Sequence, residues 1–208
     1  MIMNDLALRF GDKKEAIYYK DLAEKCKNSF NAKFYNENTK SLYDVLGDAK
    51  IRPNQIFALS LTYPVLDIDS YEAGQIINTI EEKLITPYGL KSLANGEIGY
   101  KDVYEGDGEK RDSSYHQGIT WTWLLGPYYD SLKNIYINTK NKNTKKEYEN
   151  KILEFRRNTY ITFKDEIKKR GCIGSISEIY DSIEPYEPKG AIAQAWSVSE
   201  IFRIITGK

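Results

Sequence analysis

Histidine and cysteine are nearly absent from this chain. One histidine and two cysteines occur in 208 residues. Cys26 and Cys172 are far apart, and neither belongs to a Cys-x-x-Cys pair. A zinc site built from Cys and His needs several such ligands at short spacing, so no metal is expected. The two thiols are expected to be free in a reducing compartment, with Cys26 on an apolar helix face. An excess of one charge is also lacking, because 30 Lys and Arg balance 30 Asp and Glu. The basic residues are scattered, so nucleic acid finds no electrostatic footprint. The longest polar, basic stretch, Asn138–Lys146, reads as a solvated loop. No apolar run is long enough to span a bilayer, which argues against a membrane partner. Met1–Phe10 has no basic segment leading into an apolar run, as a signal peptide would. The expectation is a soluble cytoplasmic protein. No phosphate or nucleotide motif is present, and no cofactor is expected.

Aromatic residues are plentiful, with 17 Tyr, seven Phe and three Trp. Their flat apolar faces and polar edges suit sugar rings, although ordinary packing uses the same residues. The length suffices for one domain, taken as residues 1–208. Two kinds of helical segment alternate along it. The first is long, charged and striped. In Lys13–Phe34 the positions Ala16, Tyr19, Leu22, Ala23, Cys26, Phe30 and Phe34 follow three-and-four spacing. Ser70–Leu84 and Lys145–Arg170 repeat that pattern. The second kind is apolar nearly all round, and such a helix needs burial on every side. Gln55–Leu61, Ile119–Leu132 and Ala191–Ile205 are of this kind.

This alternation fits a double-layered ring of helices, with inner helices wrapped by outer ones. The pairs would be Lys13–Phe34 with Asn54–Tyr63, Ser70–Leu84 with Gly118–Tyr136, and Lys145–Arg170 with Gly190–Thr206, after a short helix over Asn4–Phe10. A plain helical bundle has the same periodicity and stays open at this point. Three long connections, Asn36–Pro53, Leu84–Gln117 and Gly171–Lys189, are crowded with polar and aromatic residues. Loops of this length inside a domain usually serve function, and together they would form a concave site.

Several stretches are distinctive when taken together. They are Arg52-Pro53-Asn54-Gln55, Ile85–Leu93 (ITPYGLKSL), Tyr104–Pro127 (YEGDGEKRDSSYHQGITWTWLLGP), Cys172–Asp181 (CIGSISEIYD) and Gly190–Glu200 (GAIAQAWSVSE). In this order and spacing the chain resembles the amylo-α-1,6-glucosidase domain of glycogen-debranching enzymes. The resemblance implies an all-α fold, an (α/α)₆ toroid. It also implies hydrolysis, with inversion, of the α-1,6-linked glucose left at a trimmed glycogen branch point, so that the substrate is glycogen or a related α-glucan.

Inverting glycoside hydrolysis uses a carboxylic acid that protonates the leaving oxygen and a carboxylate that activates water. On the resemblance, Glu178 is the general base. The sequence alone leaves a second reading open, since Ser175-x-x-Glu178 also fits a helix-capping box. The family's general acid lies in a Trp-Met-Asp stretch that this sequence does not contain. The chain is therefore expected to supply about the C-terminal half of the toroid, with the acid upstream. Its exposed inner faces should then bind the N-terminal half or drive self-association.

The same comparison suggests substrate-binding roles for Arg52, Asn54, Tyr104, Asp112, Tyr115, His116, Gln117 and Trp121. Each has a plainer reading beside it. Arg52 and Asn54 could order loops, His116 could be a satisfied buried histidine, and Gln117 could be a polar helix start. Trp121 or Trp123 could belong to the core. Asp112 could cap a helix, and Tyr104, Glu105 and Asp107 could form a solvated loop face. Ser113-Ser114 and Thr122 depart from the family pattern without removing a chemically needed group.

Overall fold

Side chains set where the long helices begin. In the computed structural model, which describes residues 1–207, the Asp12 carboxylate accepts the Glu15 N–H and opens α2 (Lys13–Phe34). Ser70 accepts from Ala73 N–H at the head of α4 (Tyr71–Lys83). Asp107 accepts from Lys110 N–H and opens α5 (Gly108–Tyr115). Asn141 accepts from the amides of Asn143 and Thr144 and opens α7 (Lys142–Lys169). Each cap satisfies backbone donors that the first helical turn leaves unpaired. The remaining helices are α1 (Ile2–Phe10), α3 (Phe57–Ser60), α6 (Leu125–Asn138) and α8 (Ala195–Thr206).

The protein is mostly helical, and the striped helices fall close to their expected positions. α7 starts earlier than expected, so much of Asn138–Lys146 is helix rather than loop. The apolar segments are less regular. Asn54–Tyr63 forms a 3₁₀ turn, Pro53–Ile56, that runs into α3. Gly118–Tyr136 begins as a strand, passes through a 3₁₀ turn and becomes helical only at Leu125.

A small antiparallel sheet, which the sequence reading did not anticipate, ties the long connections together. Its strands are β3 (Ile85–Thr86), β4 (Gly89–Lys91), β5 (Thr120–Trp121), β6 (Ile179–Tyr180) and β7 (Pro188–Lys189), hydrogen-bonded in that order. A separate pair, β1 (Tyr35–Asn36) and β2 (Ser41–Leu42), follows α2. Strands of two or three residues leave almost no period-two pattern to read.

The core lies among α3, α4, α6 and the sheet. Ile76, Ile77 and Ile80 of α4 are fully buried, together with Ile56, Leu59, Leu84, Leu90, Ile119 and Leu132. Each such side chain contributes about 1.5–3 kcal/mol relative to exposure. α6 packs on α3 and α7, and α8 packs on α6 and α7. The third expected helix pair is therefore present. In the second, α4 and α6 are linked by the Tyr128 hydroxyl, which donates to Glu81 at 2.7 Å.

α2 departs from expectation. Its main partner is α1, and of its striped positions only Ala16 is buried, while Leu22 and Cys26 are exposed. Only its C-terminal end, with Phe30 and Phe34, reaches the core. α8 also leaves Trp196, Val198 and Phe202 exposed, although its sequence reads as apolar nearly all round. Among the described residues no helix is long and apolar enough to cross a membrane.

Candidate functional site

The register of the sheet brings the site together. Trp121 of β5 pairs with Ile179 of β6, and Thr120 pairs with Tyr180. Glu178, immediately before β6, thereby comes alongside the segment Tyr115–Trp121, more than fifty positions away in the chain. Its backbone N–H donates to Ala191 O at 2.9 Å. Its carboxylate accepts from Ala191 N–H at 3.1 Å and from the Gln194 amide at 3.4 Å. Gly190 makes this close approach possible. It has φ 70°, and a Cβ there would lie 2.5 Å from Glu178 Oε2. No helix begins at Ser175, because residues 175–178 are loop, so the capping-box reading of Glu178 fails.

Glu178 forms part of the wall of a concave pocket of about 530 Å³. Arg52, Asn54, Tyr115, His116 and Trp121 line the same pocket, with Asp44, Ser92, Trp123 and Trp196. Six of the nine expected site residues are thus brought together. Of the other three, Gln117 sits behind the wall, where its Oε1 accepts from Arg52 Nη2 at 3.1 Å. Tyr104 lines an adjoining cavity of about 630 Å³ that also reaches Glu178. Asp112 lies on the exposed surface of α5 and lines neither cavity.

One side of the pocket is aromatic. The His116 ring stacks on Trp121, with centroids 5.0 Å apart and planes 5° from parallel. Trp196 stacks on Trp123 at 5.2 Å and meets the edge of Trp121 at 6.2 Å. These rings differ in accessibility. Trp121 is only 6 % exposed, and its indole N–H donates to Tyr115 O at 3.0 Å. Trp196 is 42 % exposed and offers a free face to a ligand. The sequence puts Trp121 in this role and places Trp196 in an apolar helix and in the distinctive Gly190–Glu200 stretch, without a site role. The Trp196 signal was its position just after the helix cap Gln194, which itself touches Glu178.

Arg52 is held by protein groups. Its guanidinium donates to Ser92 O at 3.1 Å, His116 O at 2.9 Å and Gln117 Oε1 at 3.1 Å. It therefore ties three segments behind the pocket, in line with the loop-ordering reading. Asn54 donates to Asp44 Oδ1 at 2.7 Å, which orients a carboxylate at the rim that the sequence reading missed. Asp181 is buried and accepts the Tyr104 N–H at 2.8 Å, fixing the glycine-rich loop to β6. Burial raises its carboxyl above the usual carboxylate range, with the Tyr104 hydrogen bond and Lys189 pulling the other way.

The Tyr115 phenol is raised well above its ordinary value, first by burial and then by a hydrogen bond to the Glu178 carboxylate. The Glu178 carboxylate accepts from one side-chain amide and one backbone N–H, and among the described residues no cation is paired to it. Among the described residues no cluster of three or more His, Cys, Asp or Glu is placed to hold a metal ion. No curated protein matches the chain. The family model described as amylo-alpha-1,6-glucosidase matches residues 1–203, and the chain belongs to that family.

Proposed function

We propose that this chain takes part in hydrolysing the α-1,6-linked glucose at glycogen or limit-dextrin branch points, with inversion, and that Glu178 is the general base. The glucosyl ring would rest against Trp196, with His116, Asn54 and Asp44 hydrogen-bonding its hydroxyls. Glu178, held by Ala191 N–H and Gln194, would deprotonate the attacking water, and the Tyr115 hydroxyl would orient the carboxylate. The observation that carries this reading is a carboxylate without a cation, set in a pocket that combines a half-exposed tryptophan with sugar-compatible polar groups. Tyr104, across the adjoining cavity, would meet the rest of the glucan.

The general acid is proposed to come from polypeptide outside these residues, since no Trp-Met-Asp occurs in the sequence. In this reading the chain forms about the C-terminal half of an (α/α)₆ toroid. Its exposed apolar side chains, Phe202 and Val198 on α8 with Ile2 and Leu8 on α1, would be covered by the N-terminal half or by a second copy. A cytoplasmic location goes with this reading and suits two unpaired thiols.

The test is glucose release from limit dextrin by the chain combined with polypeptide carrying the Trp-Met-Asp stretch. Proton NMR should show β-glucose as the first product. Glu178→Gln should lower kcat by about 10²–10⁴-fold while leaving glucan binding near wild type. Normal turnover in that variant would reject the base assignment, and α-glucose as first product would reject inversion.

A further inference from the structure

A second cavity lies at the other end of the helices from Glu178. It has a volume of about 420 Å³ and is framed by the starts of α4 and α7 and the end of α6. Leu124 borders the Glu178 pocket and Ile135 borders this one. They are separated by about 16 Å along the axis of α6, at 1.5 Å per residue. The two cavities share no lining residue.

Gly74 lies on the floor of this cavity, inside α4. Glycine within a helix costs stability relative to alanine, so a packing or close-approach reason is sought. None is found in the protein, because a Cβ at Gly74 would meet nothing within 4 Å. The missing side chain leaves open space above the helix, and that space is the cavity.

Some polar groups around it already serve the protein, since Asp69 accepts from the Thr139 hydroxyl at 2.6 Å and Asn141 caps α7, but two side-chain amides do not. The amides of Gln75 and Asn78 hold no hydrogen bond to another described residue. The Tyr71 ring, with Lys40 lying 6.0 Å from its centroid, is still 64 % exposed. Among the described residues no Lys or Arg lines the cavity, whereas Asp69 and Glu147 do. This charge pattern repels an anion even though two helix N-termini are near. Two free amides, a carboxylate acceptor and an exposed aromatic ring match the vicinal hydroxyls and apolar face of a neutral sugar.

We infer that this cavity is a separate binding site for a neutral oligosaccharide, a linear α-glucan segment, held away from the Glu178 pocket. The choice of an α-glucan as occupant rests on the proposed function. The site would hold a second stretch of a branched polymer while another chain end occupies the Glu178 pocket.

Hydrogen exchange of the full chain with maltoheptaose, read segment by segment, tests this. Protection is expected over residues 70–78 and, separately, over residues 190–198. Gly74→Leu should fill the cavity and abolish the first protection while leaving the second in place and the thermal midpoint no lower than wild type. Asn78→Ala should weaken the first by about tenfold. Inorganic phosphate should protect neither segment. Unchanged exchange over residues 70–78 with maltoheptaose would overturn the inference. So would persistence of that protection in Gly74→Leu, or protection by phosphate in place of the glucan. Trp196→Ala separates the two proposals. Loss of protection at residues 190–198 alone supports both, and loss at both segments together refutes the separate site. Protection confined to residues 70–78 in the wild type would instead count against the Glu178 pocket as a glucan site.

Discussion

Replacing Arg52 with lysine separates loop ordering from direct sugar binding. The substitution keeps the charge and removes the planar fork, which in this structure serves three acceptors on two segments. Of these, the Ser92 carbonyl belongs to a buried residue, so water cannot easily replace its donor. The acceptors on His116 and Gln117 are more open, and water can take over there. A hydrogen bond from a charged donor contributes about 1.5–3 kcal/mol, and an ammonium can regain at most part of it. The net loss should be about 2 kcal/mol. For a chain of this size each kcal/mol lowers the midpoint by about 2–4 °C, so Arg52→Lys should lower Tm by roughly 4–8 °C. Glucan binding should weaken alongside, because the His116 carbonyl is one of the tethers that hold the ring on Trp121. Differential scanning fluorimetry and calorimetric titration with maltoheptaose check both quantities. A Tm within about 1 °C of wild type, together with tenfold weaker binding, would refute loop ordering and return Arg52 to direct contact with sugar.

Two further perturbations probe the scaffold. Burial raises the Glu166 carboxyl, with Tyr180 and Arg170 pulling the other way and one oxygen left without a hydrogen bond. The folded state therefore holds this proton to higher pH than the unfolded chain does, and stability should fall as pH rises from the usual carboxylate range through the raised value. Glu166→Gln should flatten that decline and raise Tm at neutral pH, and an unchanged slope in thermal melts would count against it. At Gly126 a Cβ would land on the Glu200 carboxylate, which Arg203 locks while also gripping Asp130 at 2.7 and 2.8 Å. Gly126→Ala should cost about 1–3 kcal/mol by overpacking, offset by up to about 1 kcal/mol of helix propensity. Gly74→Ala, with open space around it, should raise Tm, and equal effects at the two glycines would show that the α6–α8 approach is not tight.

The striped helices were legible because each carries its own start signal and period. Asp12 and Ser70 sit where the caps are found, and the α4 stripe of Ala73, Ile76, Ile77 and Ile80 is buried as its spacing implies, whereas the Asn141 cap falls in a stretch that reads as loop. The apolar segments were harder, because continuous apolar residues suit strand, 3₁₀ turn and helix alike. Thr120–Trp121 became strand since its backbone groups find partners on Leu90–Lys91 and Ile179–Tyr180, and those pairings are set by residues distant in the chain. α2 shows the converse. Its stripe from Ala16 to Cys26 has the right period, but its neighbour α1 buries only Ala16 of it, so period alone does not guarantee burial.

The same distinction explains which parts of the site could be read. Tyr115, His116 and Trp121 are close in sequence, and a local motif announces them. Asp44 reaches the rim only because the β1–β2 pair turns the chain back after α2 and Asn54 captures its carboxylate. Trp196 reads as one more apolar residue of α8 until the tertiary structure leaves 42 % of it open beside Glu178. Asp112 illustrates the opposite error. It lies within the motif, one turn before Tyr115 and on nearly the same side of α5, yet it stays exposed while Tyr115, at the end of the helix, lines the pocket. Sequence proximity thus identifies the segment that builds the pocket, and position along the helix decides which of its residues enter. All three tryptophans border the pocket, and in the proposed reading the ring left for sugar stacking is Trp196, because Trp121 is nearly buried and His116 covers its face.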